Sequence, residues 1–586
     1  MVSEANANTF AQLHRQKCEI HFERSEIFQG RSAMQGQIEV HISGIGNLHV
    51  PKGISLFELS ENHSRTKTYP ALVAKVNNEL QDLSRKVLYD CEIDFLDITD
   101  AQGYRTYQRG VSFLLVYAAK TILGKKTRLV IEHSINKNYY CEFPDLKEPI
   151  TDELMQNIEN LMRDVVAKDL PIKKHTMPKE TAIRMCEENG LHDKIRLLKY
   201  RHNMSFSFYK LDWLYNYFYG EMVPTAGRLD HFKLAKRSNG FMLQFPDAAH
   251  NLEFTELAPE NRLTEVFAES SRWMRIMKAD NVGTLNDKMC SDGSGEIIRV
   301  AEALHEKKIA LISDQIMGER KRIVLIAGPS SSGKTTFAAR LAVQLKVNGA
   351  APHVISLDNY YVDREDYPLD ENGDVDLETI EAIDTNQIRK DLRGLLRGET
   401  IEIPSYDFHN ARREMRGNFL KLEDNGVLIL EGIHGLNELV SGDVARQDKF
   451  KIFISALTQI NIDDHNRIPT TDARLVRRIV RDSLFRGAPA TKTFDMWPSV
   501  LRGEIRHIFP FQDTADAFFN SALVYEMCVL KQYAEPLLFA ISPDKPQYTE
   551  ARRLIKFLSS FLGCPSETIP PNSILREFLG GGCFHH

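Results

Sequence analysis

The sequence predicts a multidomain chain of mixed α/β and α+β architecture, and three observations carry that reading. At 586 residues the chain is long enough for about three or four domains of ordinary size. Its carboxyl-terminal half alternates short apolar strands with amphipathic helices, the pattern of an open parallel sheet. Its amino-terminal half mixes a hairpin, alternating strands and separate helices, as α+β units do. With 42% hydrophobic and 26% charged residues, the composition is that of a soluble globular protein. It excludes collagen-like, coiled-coil and wholly disordered chains.

The elements follow in chain order. Residues 1–34 are polar and unpatterned. From Ile38, IEVHI alternates, turns through GIGN and returns as LHVP, a β-hairpin. Ser55 and Glu58 then stand three apart before apolar residues, a capping-box start for a short helix stapled by Ile54. VAKVNN (73–78) and CEIDFLDI (91–98) add two strands, completing a small mixed α/β unit that ends near residue 100. From about Ser112 the run FLLVYAAKTIL reads as helix, YYCEF (139–143) as strand, and 151–168 as a long amphipathic helix. The polar stretch DNVGTLNDKMCSDGSG, around 280–295, reads as a linker. Helix 296–318 leads into the apolar strand RIVLIAG, and strands alternate with helices to about residue 540. One more amphipathic helix (ARRLIKFLSSFL) and a proline-rich turn close the chain. The expected domains are 1–100, 101–280 and 296–586.

Charge and cysteine usage narrow the function classes. Lys plus Arg total 74 against 80 Asp plus Glu, a formal charge of −6, so no global basic signal for nucleic acid or anionic membrane exists. The eight cysteines are scattered with no C-x-x-C pair, which points to reduced thiols rather than a disulfide framework or zinc ribbon. The start MVSEANANTFAQ lacks the pattern of a secretory signal, and no apolar run approaches bilayer-spanning length. The expectation is a cytoplasmic protein without a membrane partner.

The sharpest chemical signal is Gly328-Pro329-Ser330-Ser331-Ser332-Gly333-Lys334-Thr335, which fits G-x-x-x-x-G-K-[ST]. The strand IVLIA runs into it and the helix TTFAARLAVQL runs out. The glycines let backbone N–H groups from Gly328 through Ser330, Ser331, Ser332 and Gly333 to Thr336 wrap phosphates, and the helix adds its positive end. Lys334 reaches the outer phosphates and the Thr335 hydroxyl suits Mg²⁺, making this an ATP or GTP site. VLIL (427–430) ends in Glu431, at the strand edge that lines ligand crevices in open sheets, so Glu431 is a candidate for the Mg²⁺ shell. HVISLDNYY (353–361) is a further apolar strand, expected to end in Asp358. An Asp there, following the phosphate-loop helix, suits a base that accepts the proton of an attacking hydroxyl. In DARLVRRIVRDSLFRG, Arg474, Arg477, Arg478 and Arg481 share one helical face, which needs an anion or several acids opposite. A lid that brings arginine to transferring phosphates is one use for it; a solvated basic face is another.

These pieces, in this order, resemble the uridine kinase/phosphoribulokinase family, nearest its uridine–cytidine kinase branch. The motifs are GPSSSGKTT, SLDNYY, PSYDFHNARR, LILEGIHGL and RRIVRDSLFRG, spanning 322–487. The resemblance implies a P-loop kinase domain with a parallel sheet, using ATP and Mg²⁺, with Asp358 as catalytic base. It implies that Tyr361, Tyr406 and His409 hold a nucleoside and that Asp407 and Phe408 complete the pocket wall. Arg477, Arg481 and Arg486 would be phosphate-binding lid residues. Where uridine kinases carry a Phe-Asp-His-Pro segment for base and ribose, this chain reads Leu377-Glu378-Thr379-Ile380, leaving Glu378 as the carboxylate on that wall.

The amino-terminal half resembles that of threonyl-tRNA synthetases. Residues 36–100, notably VAKVNNELQDLSRKV, look like the β-grasp TGS module. Residues 101–246, notably VPTAGRLDHFKLAKRSNGF, look like the second additional domain that edits mischarged tRNA. The positions matching that family's H-x-x-x-H pair and later Cys and His are Arg109, Phe113, Phe218 and Met222, so the implied editing site is degenerate. Fusion of such modules to a kinase of this type occurs as a family of its own, and the tail SILREFLGG is typical of it. The resemblance therefore implies a nucleoside kinase of pyrimidine salvage that phosphorylates the 5′-hydroxyl of uridine or cytidine. The altered 377–380 segment keeps another small alcohol in view as acceptor. The synthetase-like half keeps an RNA-binding regulator switched by nucleotide in view, against which the charge balance weighs. The sequence leaves oligomeric state open, a homo-oligomer included.

Overall fold

The computed structural model describes residues 36–62, 68–237, 239–257, 262–291, 294–369, 373, 376, 378–407, 410–458 and 460–584. The unpatterned reading of 1–34 lies outside them. The chain forms two compact units, Met1–Thr106 with Glu221–Pro224, and Tyr107–Gly220 with Thr225–His586.

In the first unit β1 (Gln37–Ile42) and β2 (Gly46–Pro51) make the expected hairpin, followed by helix α1 (Leu56–Asn62). The capping box is formed: Ser55 N donates to Glu58 Oε2 at 3.0 Å, and Glu58 N donates to Ser55 Oγ at 3.1 Å. With β3 (Val73–Val76), β4 (Glu79–Gln81) and β5 (Cys91–Leu96), the sheet runs β2-β1-β5-β3-β4, β1 and β5 being parallel. Leu56 and Leu59 pack beneath it on Val40, Ile42 and Ile93.

Helix α2 (Ala101–Leu123) begins well before the apolar run at Ser112. Its first turns bury polar Gln102 and Thr106, the Thr106 hydroxyl donating to Gln102 O at 2.9 Å, and so carry no apolar signature. In the second unit β6 (Val130–Ile135), β7 (Asn138–Glu142), helix α3 (Asp152–Ala167), β8 (Ile172–Pro178), helices α4 (Lys179–Glu188) and α5 (His192–Lys199), β9 (Ser205–Leu211), β10 (Leu214–Asn216), β11 (Lys233–Lys236) and β12 (Phe241–Gln244) follow. The strands form two antiparallel sheets, β11-β12-β7-β6 and β10-β9-β8. After α6 (Arg262–Met277), the stretch expected to be a linker contains helix α7 (Val282–Cys290). Asn281 Oδ1 accepts from Thr284 N at 3.0 Å and Thr284 Oγ1 accepts from Asn281 N at 3.1 Å. Its polarity is misleading because Asn286 is buried, donating to Ser560 O at 2.8 Å and accepting from Leu562 N at 3.0 Å.

Helix α8 (Ser294–Gly318) then leads into β13 (Ile323–Ala327), α9 (Lys334–Val347) and β14 (Ala351–Ser356). Beyond α10 (Thr385–Leu396) come the short pairs β15 (Ile401–Glu402) with β18 (Phe419–Leu420) and β16 (Ser405–Asp407) with β17 (Arg412–Glu414). The main sheet is completed by β19 (Gly426–Glu431), β20 (Lys449–Ser455) and β21 (Ala517–Asn520) in the parallel order β14-β19-β13-β20-β21. All of β13 and β19 is buried, as continuous apolar runs covered on both faces must be. The register sets Ile326 and Ser356 beside Glu431, so β13, β14 and β19 end level. The remaining helices are α11 (Thr470–Arg486), α12 (Ala490–His507), α13 (Glu526–Phe539), α14 (Tyr548–Leu558) and α15 (Arg576–Leu579).

Between β20 and α11, residues 461–467 dock on the middle of the chain. Lys194, 1% exposed, donates to Asp463 Oδ1 at 2.6 Å. Arg128 grips Asp464 through two bonds of 2.7 and 2.9 Å, and Ile131 N donates to Asp464 O at 2.8 Å. Asn466 Nδ2 donates to Tyr217 O at 3.0 Å. The segment that enters the arginine helix is thus held by the synthetase-like part of its own unit.

Candidate active site

The loop between β13 and α9 is shaped for close approach of a ligand to backbone. A Cβ on Gly328 would lie 2.1 Å from Ile454 O, and Gly333, the N-cap of α9, has φ of +83°. Both positions need glycine. The hydroxyls of Ser331 and Ser332 are buried without a hydrogen-bond partner among the described residues, polar groups that a bound phosphate would satisfy. Thr335 Oγ1 donates to Glu431 Oε1 at 3.2 Å across the level strand ends. A hydroxyl and one carboxylate, joined by phosphate oxygens, suit Mg²⁺, which keeps few protein ligands. No cluster of three or more His, Cys, Asp or Glu ligands occurs among the described residues.

Asp358 stands just past β14, in a single 3₁₀ turn (Leu357–Tyr360), rather than at the strand's last position. Burial raises its carboxyl above the usual range, while Lys334, Arg486 and Arg481 pull it back. Glu431 is pushed up to about 7, by burial first and then by Asp358. Arg481 is pulled down to about 10 by burial and by Arg486. Asp358, Glu431, Lys334, Arg481 and Arg486 thus lie within electrostatic reach of one another.

The other arginines of α11 do something different. Arg474 binds Glu504 with bonds of 2.5 and 2.7 Å and reaches Ser330 O at 3.1 Å, while Ser330 N donates to Glu504 at 3.0 Å. Arg477, fully buried, donates to Glu526 Oε2 at 2.5 Å, to Ser521 O at 3.0 Å and to Ser331 O at 3.2 Å. The resemblance implies a phosphate-binding lid residue at Arg477; the geometry makes it a brace under the loop. The acids that oppose this arginine face are Glu504 for Arg474, Glu526 for Arg477, and Asp482 for Arg478 and Arg481, and the sequence reading names none of them.

On the acceptor side, Tyr361 is buried with its ring 5.6 Å from that of Tyr406, and the hydroxyls of Tyr406 and Tyr367 are hydrogen-bonded. Glu378 is pushed up to about 7 by burial and by Glu504, with Oε2 buried and without a hydrogen-bond partner among the described residues. Behind it lies buried His434, drawn down to about 4 by burial and His507, which sequence reasoning also passes over. Asp407 accepts from Asn410 at 2.9 and 3.2 Å and pairs with Arg416 at 3.6 Å, so its carboxylate serves the hairpin turn. Leu377, Phe408 and His409 lie outside the described residues. At the positions matched to the synthetase editing residues, the rings of Phe113 and Phe218 are 5.3 Å apart, and a Cβ on Gly220 would lie 2.5 Å from the Arg109 guanidinium carbon.

Comparison with known proteins agrees with the two-part reading. A model of the phosphoribulokinase/uridine kinase family matches residues 323–526. A uridine kinase of Halobacterium salinarum is 30% identical over 178 residues, 30% of this chain and 69% of that protein. The amino-terminal region is similar to threonine–tRNA ligases; that of Acetivibrio thermocellus is 29% identical over 184 residues, 31% of this chain. This chain spans only 29% of that ligase's length. A solved structure titled as a possible uridine kinase from Bacillus stearothermophilus is 18% identical, with a TM-score of 0.24 and coverage of 36% of this chain and 98% of that one. No helix among the described residues is long and apolar enough to cross a membrane. With its phosphate loop, parallel sheet and arginine helix in the family's order, the chain belongs to the phosphoribulokinase/uridine kinase family.

Proposed function

We propose that the protein is a cytoplasmic, ATP- and Mg²⁺-dependent kinase that transfers the γ-phosphate to the 5′-hydroxyl of a pyrimidine nucleoside, uridine or cytidine. The observation that supports the reading best is Asp358, in the turn just past β14 and within electrostatic reach of Lys334, Arg486 and Arg481. In this reading residues 296–586 carry the reaction, and 1–100 and 101–280 are a TGS-like and an editing-derived domain. Backbone amides from Gly328 to Thr336 would hold the phosphates, and Thr335 with Glu431 would hold Mg²⁺, which would supply charge neutralisation there. Asp358 accepts the hydroxyl proton as that oxygen bonds to the γ-phosphorus and the bond to the bridging β-phosphate oxygen breaks. Lys334, Arg481 and Arg486 neutralise the charge that develops. A carboxyl raised by burial is a stronger proton acceptor than an exposed one, which suits the role. Tyr361 and Tyr406 offer faces for the base, and the free oxygen of Glu378 suits ribose hydroxyls.

The test is incubation with ATP and Mg²⁺ against nucleosides and small polyols, with products read by mass. Uridine or cytidine monophosphate supports the reading; a polyol phosphate instead would overturn the acceptor and keep the chemistry. Asp358→Asn should lower turnover by about 10²–10⁴-fold while leaving ATP binding intact. An Asn variant that turns over normally removes Asp358 from the base role.

A further inference from the structure

The last turns of the chain close on the phosphate loop. A Cβ on Gly333 would lie 2.5 Å from Ile574 Cγ2, and the Phe578 ring lies 5.0 Å from the Arg477 guanidinium. Ile574 and Phe578 are fully buried, so this tail is a packed part of the site. Between them Glu577 Oε2 accepts from Thr336 N at 3.2 Å and from Thr336 Oγ1 at 3.0 Å.

Thr336 is the third residue of α9, so its N–H is one of the helix-start amides left without an intrahelical partner. It stands at the positive end of the helix, next in sequence to the Lys334 and Thr335 that the phosphate motif supplies. A helix-start amide paired with a hydroxyl is a phosphate-oxygen receptor, and here a carboxylate oxygen of the chain itself holds both donors. Two anionic oxygens cannot share them. Glu577 also adds negative charge beside Glu431 and offsets the positive charge of Arg481, which weakens the field that phosphates would meet. Its docking and phosphate binding therefore oppose each other twice, by occupancy and by charge.

We propose that the carboxyl-terminal tail, residues 573–583, is a latch on the nucleotide site, in which Glu577 stands in for a nucleotide phosphate at Thr336 and is expelled when nucleotide binds. The inference rests on the reading of Gly328–Thr336 as the nucleotide cradle. ATP binding then changes the state of the tail, and anything that holds the tail down lowers the affinity for ATP by the same factor.

The test uses the full chain. Titration calorimetry with Mg²⁺-ATP in the absence of acceptor should give the Glu577→Gln variant about tenfold tighter binding than wild type, the equilibrium worth of roughly one charge-assisted hydrogen bond. In wild type, hydrogen exchange at the tail amides, including Gly580 N and Cys583 N, should speed up when ATP is added. Unchanged or weaker ATP binding by Glu577→Gln, while wild type binds well, overturns the latch alone. Tail exchange that ATP leaves unchanged or slows overturns it as well, independently of any variant. Failure of both proteins to bind ATP removes the nucleotide reading, and the latch with it.

Discussion

Replacing Arg477 by alanine separates a brace from a substrate contact. The substitution removes bonds to Ser331 O at 3.2 Å, Ser521 Oγ at 3.2 Å, Ser521 O at 3.0 Å and Glu526 Oε2 at 2.5 Å. It leaves the Glu526 carboxylate, 4% exposed, with the backbone N–H of Leu523 at 3.0 Å as its remaining partner here. Breaking a buried ion pair from one side costs about 3–5 kcal/mol, because the surviving charge stays desolvated. An arginine that only meets phosphate would cost rate and almost no stability. Denaturant unfolding followed by tryptophan fluorescence should therefore show a lower midpoint for Arg477→Ala. Removing both charges in Arg477→Met/Glu526→Met should recover most of that loss. A wild-type midpoint for Arg477→Ala, combined with slow turnover, refutes the brace and returns Arg477 to the lid.

Glu378 gives a pH prediction. Its folded pKa, about 7, lies above the ordinary 4.5, so the native state holds a proton that the unfolded state has released between those values. Its contribution is fully favourable below about 4.5 and is lost as pH rises through about 7, by at most about 3 kcal/mol. Glu378→Gln should thus be more stable than wild type at pH 8 and no better at pH 4.5, while raising KM for the acceptor; equal stabilisation at both pH values would contradict the buried acid. Lys194→Met removes the ammonium held at 2.6 Å from Asp463 and 3.7 Å from Asp193, leaving both buried carboxylates without their cation, and should cost about 3–5 kcal/mol in denaturant unfolding. An unchanged unfolding midpoint would mean that the docked segment carries no load.

Much of this fold is legible where physics is local. The apolar runs of β13 and β19, the Ser55–Glu58 capping box and the glycines of the phosphate loop declare themselves within a few residues. The failures are long-range. The spacing of Arg474, Arg477, Arg478 and Arg481 is plain, but the roles of Arg474 and Arg477 as braces are fixed by Glu504 and Glu526, 30 and 49 positions away from their arginines. Glu577 lies 241 positions from Thr336, and nothing near either announces the contact. Helix α7 hides because its buried face carries Asn286, whose partners come from beyond residue 559. Asp407 also has partners in its own hairpin turn, Asn410 and Arg416, that its motif does not announce.

The docking of residues 461–467 bears on how such a chain could be taken apart. A half starting at residue 296 would carry Asp463 and Asp464 without Lys194 and Arg128. Those residues run directly into the helix that braces the phosphate loop, so the damage would fall on that loop rather than on a remote seam. The kinase half is therefore not a transplantable cassette. The synthetase-like part acts as scaffolding for the residues that follow it, because it holds the segment leading into the arginine helix.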